Sequence, residues 1–191
     1  MKRLTMMLMA AFICLSAGAQ GADKLYEEGK KLYDEKQYAA AFPMLKAAAE
    51  KGHRKAQYRL GRCYDKGRGT NEDDKMAVEW YAKAAAQDYA KAQYQLGKCY
   101  KDGEGVEKDK KKAVELFTKA AKQDNADAQL ALGKAYLKGK GVTADQAKAK
   151  RLLYKAVSNP KGGEEILASL RKKAADGDED AKNILAIVGK K

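Results

Sequence analysis

The 191-residue chain is 45% hydrophobic and 34% charged, with two prolines, one histidine and a formal net charge of +13. Its length allows one domain or two small ones. Abundant Ala, Lys, Leu and Glu, which lose little rotamer freedom in a helix, predict an all-α protein.

The first residues read as an export signal. Lys2 and Arg3 form a positive n-region, residues 4–15 an apolar run too short to span a bilayer, and Ala17-Gly18-Ala19 a small-residue cleavage pattern. This predicts a signal peptide over residues 1–19, cut after Ala19. The bulky Phe12 and Ile13 stand before Cys14 where a lipoprotein-type signal has small residues. The expected mature chain is soluble and exported, either periplasmic or extracellular at the cell surface. Loss of Lys2 and Arg3 takes the charge from +13 to +11. Basic chains associate with nucleic acid, anionic membranes or glycans, and acidic proteins; lysines dispersed along a chain also read simply as a solvated surface.

The next segment, "LYEEGKKLYDEKQYAAAFPMLKAAAEKG", places a helical hairpin within residues 22–52. Beyond it the chain repeats itself: "AQYRLGRCYDKGRG" starts at Ala56, "AQYQLGKCYKDGEGV" at Ala92 and "AQLALGKAYLKGKGV" at Ala128, a period of 36 residues. The later halves keep the offset, with Ala77, Ala113 and Ala149 in register, then Trp80, Leu116 and Leu152. Units are expected at 56–88, 92–124 and 128–158. In each, Ala56, Leu60, Cys63 and Tyr64 or their equivalents mark one apolar helix face. A G-x-G then breaks the helix, and a second helix, starting near Lys75 in the first unit, is expected to bury Ala77, Val78, Tyr81, Ala84 and Ala85. One such hairpin cannot cover its own apolar face, so successive units must stack.

Alanine, then L-G-x-x-Y-x-x-G-x-G-V, then K-A-x-x-x-x-x-K-A-A at this period resembles the Sel1-like repeat. Unit one departs with Thr70 and Met76, and unit three with Val157. The 22–52 hairpin resembles the related tetratricopeptide repeat: 12 residues separate Gly29 from Ala41 where 16 separate Gly61 from Ala77, which implies a shorter turn without the G-x-G. After "SNPKGG", residues 163–188 read as a degenerate helix pair suited to a terminal cap. The fold class implied is a right-handed α-solenoid of stacked helical hairpins.

A glycine pair ahead of a lysine-rich helix resembles a phosphate cradle, but it recurs at Gly67/Gly69, Gly103/Gly105 and Gly139/Gly141 with no Gly-Lys-Ser/Thr after it. It reads as a structural turn. Cys63 and Cys99 share one repeat position; equivalent positions on stacked helices lie about 8–10 Å apart, and a disulfide needs Cα atoms within about 7 Å. Buried thiols are expected. Some secreted Sel1-like proteins carry two cysteines per repeat, a plan this chain does not follow. His53 falls in a turn whose later copies are Tyr89 and Asn125, and reads as solvated. One histidine and two separated thiols leave no zinc ligand cluster, so neither metal nor cofactor is expected. Ser169-Leu170-Arg171-Lys172 matches the S-x-x-K of penicillin-recognising enzymes, without their S-D-N and K-T-G companions. Related secreted repeat proteins have been linked to penicillin binding, so a hydrolase built on Ser169 and Lys172 is the rival reading.

The tetratricopeptide family receives peptides on its first helices, in the concave groove. Carrying those positions over from the shared glycine gives two ladders: Tyr26, Tyr58, Tyr94 and Leu130 three residues before it, and Lys30, Arg62, Lys98 and Lys134 one after. Tyrosines supply amphipathic contact area and cations supply charge-assisted hydrogen bonds. The expected function is a non-catalytic interaction scaffold or adaptor for an extended, acidic protein or peptide. An anionic glycan suits the same chemistry; an exported location disfavours nucleic acid. The alternative for the ladders is that the tyrosines pack against the neighbouring unit and the cations are solvated surface.

Overall fold

The structure is a computed structural model that describes residues 21–189. The signal peptide expected over residues 1–19 lies outside the described residues. Among them, ten α-helices run α1 (Ala22–Asp34), α2 (Tyr38–Glu50), α3 (Arg54–Asp65), α4 (Asp74–Ala86), α5 (Ala90–Asp102), α6 (Lys110–Lys122), α7 (Ala126–Lys138), α8 (Gln146–Val157), α9 (Gly163–Ala175) and α10 (Glu179–Gly189), with no strands. They form two compact units. The first runs through Ala92 and includes Glu104–Glu107; the second holds Gln93–Gly103 and everything from Lys108 onward.

Aspartate side chains start the second helices. Asp73, Asp109 and Asp145 accept the backbone N–H of Met76, Lys112 and Lys148, each at 2.9 Å, satisfying donors that have no partner inside the helix. Their own N–H groups donate to the carbonyls of Tyr64, Tyr100 and Tyr136 at 3.0, 2.8 and 3.0 Å. The long loop is thereby tied at both ends to its own hairpin. By contrast, α1 and α2 are joined by three residues, with Lys36 in the left-handed region at φ 62°.

The loop also reaches the preceding hairpin. Gly69, Gly105 and Gly141 have positive φ, and a Cβ at any of them would fall inside van der Waals contact with the backbone carbonyl of Tyr38, Asp74 or Lys110 respectively. Each of those residues opens the previous second helix. Only a residue without a side chain permits this approach. Inside each hairpin a further glycine does similar work: a Cβ at Gly61, Gly97 or Gly133 would lie 2.7, 2.6 or 2.8 Å from the side chain of Tyr81, Phe117 or Leu153.

Burial follows the apolar stripes. Leu25, Leu45, Leu60, Cys63 and Trp80 belong to the core of the first unit, and Leu153, Ile166, Leu170 and Ile184 to a core of the second. One expected core position is corrected: Val78 is half-buried, and Trp80 is buried instead. The acidic "DGDED" spans the α9–α10 turn and the first residues of α10, with Asp178 accepting from the Ala181 N–H at 2.9 Å.

A buried amide pair recurs where hairpins meet, and the apolar pattern gives no sign of it. Gln57, Gln93 and Gln129 are 6%, 1% and 0% exposed. Their Oε1 atoms accept from Gln87 Nε2 at 2.8 Å, Gln123 Nε2 at 2.8 Å and Asn159 Nδ2 at 3.2 Å. Gln57 and Gln129 also donate to the carbonyls of Ala49 and Ala121, at 3.2 and 3.4 Å. Buried polar groups are tolerated when paired in this way.

His53 is a second correction. It is no solvated turn residue: its side chain is 15% exposed, its Nδ1 accepts the Ala56 N–H at 3.1 Å as the N-cap of α3, and its ring stacks on Tyr26 with centroids 4.3 Å apart. Asn125 plays the same capping part for α7. Burial holds the imidazole below its usual pKa, against the pull of Asp23, whose Oδ1 lies 3.3 Å from Nε2. Protonation would make Nδ1 a donor and cancel the cap.

Two outcomes follow for stability. Because the folded-state pKa of His53 is depressed, its contribution is present above the unfolded value of about 6.5 and is lost as pH falls below it. Urea denaturation at pH 7 and pH 5 should show a loss of up to about 1 kcal/mol that His53→Asn, which keeps a cap, does not show. Gly105→Ala should destabilise the first unit by about 3 kcal/mol, combining left-handed strain with overpacking. Gly52→Ala, at a similar φ of 87° but with nothing within 4 Å, should cost only about 1–2 kcal/mol. Equal shifts in the unfolding of the single tryptophan, Trp80, would show that the close backbone approach contributes nothing.

Candidate functional site

The tyrosine ladder is built mainly from packing residues. Tyr26 is 6% exposed beneath the His53 ring, so it offers no groove surface; this corrects its assignment as a contact residue. Tyr58 is half-buried, edge-on to Tyr89 with centroids 5.4 Å apart and tilted against Tyr81 at 6.0 Å. Tyr94, also half-buried, leans on Phe117 at 5.8 Å. The spacing that places Tyr58 and Tyr94 on one face of their helices also brings them against the second helix of the same hairpin, at Tyr81 and Phe117.

The cation ladder divides between the units. In the first, Lys30 pairs with Asp34 one turn on, at 3.3 Å, and Arg62 is half-buried within electrostatic reach of Tyr58, Tyr33 and Tyr81. In the second, Lys98 and Lys134 are half-buried. Burial pushes the Lys134 ammonium below its usual pKa; Lys173 and Lys101 add repulsion, and Asp178 and Asp180 oppose them. A cation held in that state gains from any anion that approaches it.

Sequence reasoning missed a denser group in the first unit. Arg59 Nη1 donates to Asp34 Oδ1 at 3.1 Å, and its guanidinium carbon lies 5.1 Å from the centre of the Tyr33 ring. Arg68 donates from Nη1 to Tyr33 Oη at 2.7 Å and covers the Tyr33 and Tyr38 rings at 5.5 and 5.0 Å. The two rings meet edge to face at 5.1 Å. The signal for this group was present in composition: Arg54, Arg59, Arg62 and Arg68 all fall in the first repeat, while residues 90–125 contain no arginine.

Among the described residues, neither Cys63 nor Cys99 is exposed. Burial pushes the Cys63 thiol up to about 12, although Arg68, Arg59 and Arg62 pull it down; a thiol in that state is inert as a nucleophile. Ser169 and Lys172 are exposed on α9, opposite its buried Ile166 and Leu170. The nearby open concavity, about 550 Å³, is lined by Val157–Gly162, Glu164 and Glu165 and includes neither of them. Among the described residues, no group of three or more His, Cys, Asp or Glu side chains could hold a metal ion. No helix there is long and apolar enough to cross a membrane.

Comparison with known proteins agrees with the stacked hairpins. The Sel1 repeat family model matches residues 54–89, 90–125 and 126–160. The crystal structure of a Sel1 repeat protein from Oxalobacter formigenes is similar, with 29% identity and a TM-score of 0.71 over 86% of this chain and 67% of that one. A protective antigen present in uropathogenic Escherichia coli strains, displaying an SLR fold, has 29% identity and a TM-score of 0.74; 94% of this chain covers 40% of that longer one. No curated protein matches the sequence. Repeats of this fold generally mediate protein–protein interaction and are generally non-catalytic. Three matched repeats span more than half of the residues, and the chain belongs to the Sel1 repeat family.

Proposed function

We propose that the protein is a non-catalytic interaction scaffold, exported by its first 19 residues, that receives an extended acidic protein or peptide on the faces of its first helices. The observation that carries this reading is the set of half-buried cations at one repeat position, Arg62, Lys98 and Lys134. Partly desolvated cations pair with carboxylates more strongly than fully hydrated ones. The depressed pKa of Lys134 supports the same reading, because an arriving carboxylate relieves its repulsion with Lys101 and Lys173. Tyr58 and Tyr94 contribute only the edges their packing leaves accessible. An anionic glycan is a second reading supported by the same cations. The export reading rests on the charged, apolar and small-residue order of residues 2–19.

Charge reversal tests each unit separately. Arg62→Glu alone, and Lys98→Glu with Lys134→Glu, should each reduce capture of crosslinked partners at least severalfold while far-UV circular dichroism stays unchanged. Raising salt from 0.05 to 0.5 M should weaken wild-type capture in parallel, as expected for screened charges. Retention of every partner by both variants would remove the cation faces from the binding surface. For export, fractionation should find the mature chain beginning at Gln20 outside the cytoplasm; a full-length cytoplasmic product would refute it.

A further inference from the structure

We infer that Arg59, Arg62 and Arg68, gathered around Tyr33, form a carboxylate-binding subsite for a glutamate or aspartate side chain of an acidic peptide; this rests on the scaffold reading and names where the partner's charge is held. The three side chains converge from two places: Arg59 and Arg62 from α3, and Arg68 from the loop that follows it. All three guanidiniums lie within electrostatic reach of the buried Cys63 thiol. Tyr33 is their common floor, with Arg59 and Arg68 over its ring and its hydroxyl accepting from Arg68.

The ring contacts hold the guanidiniums of Arg59 and Arg68 beside Tyr33 and Tyr38. Each guanidinium has five N–H donors in a rigid fork. Arg59 donates to Asp34 and is also hydrogen-bonded to Tyr26, and Arg68 spends one donor on Tyr33 Oη. Asp34 is moreover a carboxylate already seated at the edge of the group; burial pushes its pKa up, but the charges and hydrogen bonds of Arg59 and Lys30 together outweigh that and hold it below the usual value. The group therefore already holds one planar anion of the kind it is inferred to bind, through Arg59 and Lys30.

Two comparisons within the chain favour recognition over stacking. Residues that stack the repeats recur every 36 positions, as Gly69, Gly105 and Gly141 do. Arg59 and Arg68 do not: Arg59 is followed by Gln95 and Ala131, and Arg68 by Glu104 and Lys140, whereas Arg62 belongs to the recurring cation position with Lys98 and Lys134. A position that tolerates glutamine, alanine or glutamate in other copies is not required by the repeat. Arginine also stands here in a chain whose remaining basic residues are chiefly lysine, and the two differ in that only the guanidinium matches a carboxylate with two parallel hydrogen bonds.

Fluorescein-labelled hexaglutamate, titrated by anisotropy against the full chain, tests the assignment. The wild type should bind, and Arg59→Lys/Arg62→Lys/Arg68→Lys, which keeps every charge and loses every fork, should bind about tenfold more weakly. Arg62→Lys alone, which leaves the Asp34 and Tyr33 bonds untouched, should lose about threefold; it serves if the triple variant shows altered Trp80 emission. Binding equal to wild type in both variants would overturn the subsite and leave the acidic-partner reading standing. No binding of hexaglutamate by the wild type would remove both. A phosphoserine hexapeptide bound more than tenfold tighter, and alone sensitive to the lysine substitutions, would overturn the carboxylate assignment in favour of a phosphoryl group.

Discussion

The stacking of these hairpins depends on a contact that has no side chain on one side. The second glycine of each long loop lies on the backbone carbonyl at the start of the preceding second helix. Backbone against backbone cannot adjust as a flexible side chain can, so this contact sets the distance between a loop and its neighbour within narrow limits. Everything nearby is arranged to deliver the glycine there. The aspartate cap starts the second helix, its N–H ties back to a tyrosine carbonyl, and the left-handed glycines turn the chain between them.

The buried amides add selectivity to that spacing. A glutamine side chain on each first helix meets an amide 30 residues later, in the turn that ends the same hairpin. Apolar burial alone tolerates small slips of one hairpin along another, since Ala and Leu faces are nearly uniform. The bonds these amides donate to carbonyls of the preceding hairpin, from Gln57 to Ala49, Gln87 to Gly52, Gln129 to Ala121 and Asn159 to Asp124, do not, because a slip leaves buried polar groups without partners. Alanine-rich faces thus supply the burial, and the amides and glycines supply the register.

Function departs from the repeat where the repeat is broken. Residues needed for stacking return at every copy, whereas Arg59, Arg68 and His53 do not. His53 and Asn125 are different side chains for the same capping task. Neither Arg59 nor Arg68 has an arginine at its equivalent position in the second or third repeat, and both lie where the shorter first hairpin meets the first Sel1 repeat. Tyr33 and Tyr38, from that first hairpin, provide the rings on which they rest.

How much of this could be read beforehand differs by level. The 36-residue period, the paired helices, the breaking glycines and the burial of both cysteines were legible, because periodicity and the absence of a Cβ act locally and leave marks in the chain. The site was legible only as a set of positions. Tyr26 sits on the expected helix face but under His53, and helical spacing cannot tell a ring facing solvent from one roofed by the next turn. Val78 and Trp80 exchanged places for the same reason.

Sequence by itself determined the hairpins, their order and their need to stack, since each leaves an apolar face that only a neighbour can cover. Tertiary structure alone decided which polar residues became partners: Gln57 with Gln87, His53 with Tyr26, and Arg59 and Arg68 with Tyr33, some of them 35 residues apart. Such meetings depend on the distance and rotation between helices, which the glycine contacts set and which no local pattern encodes.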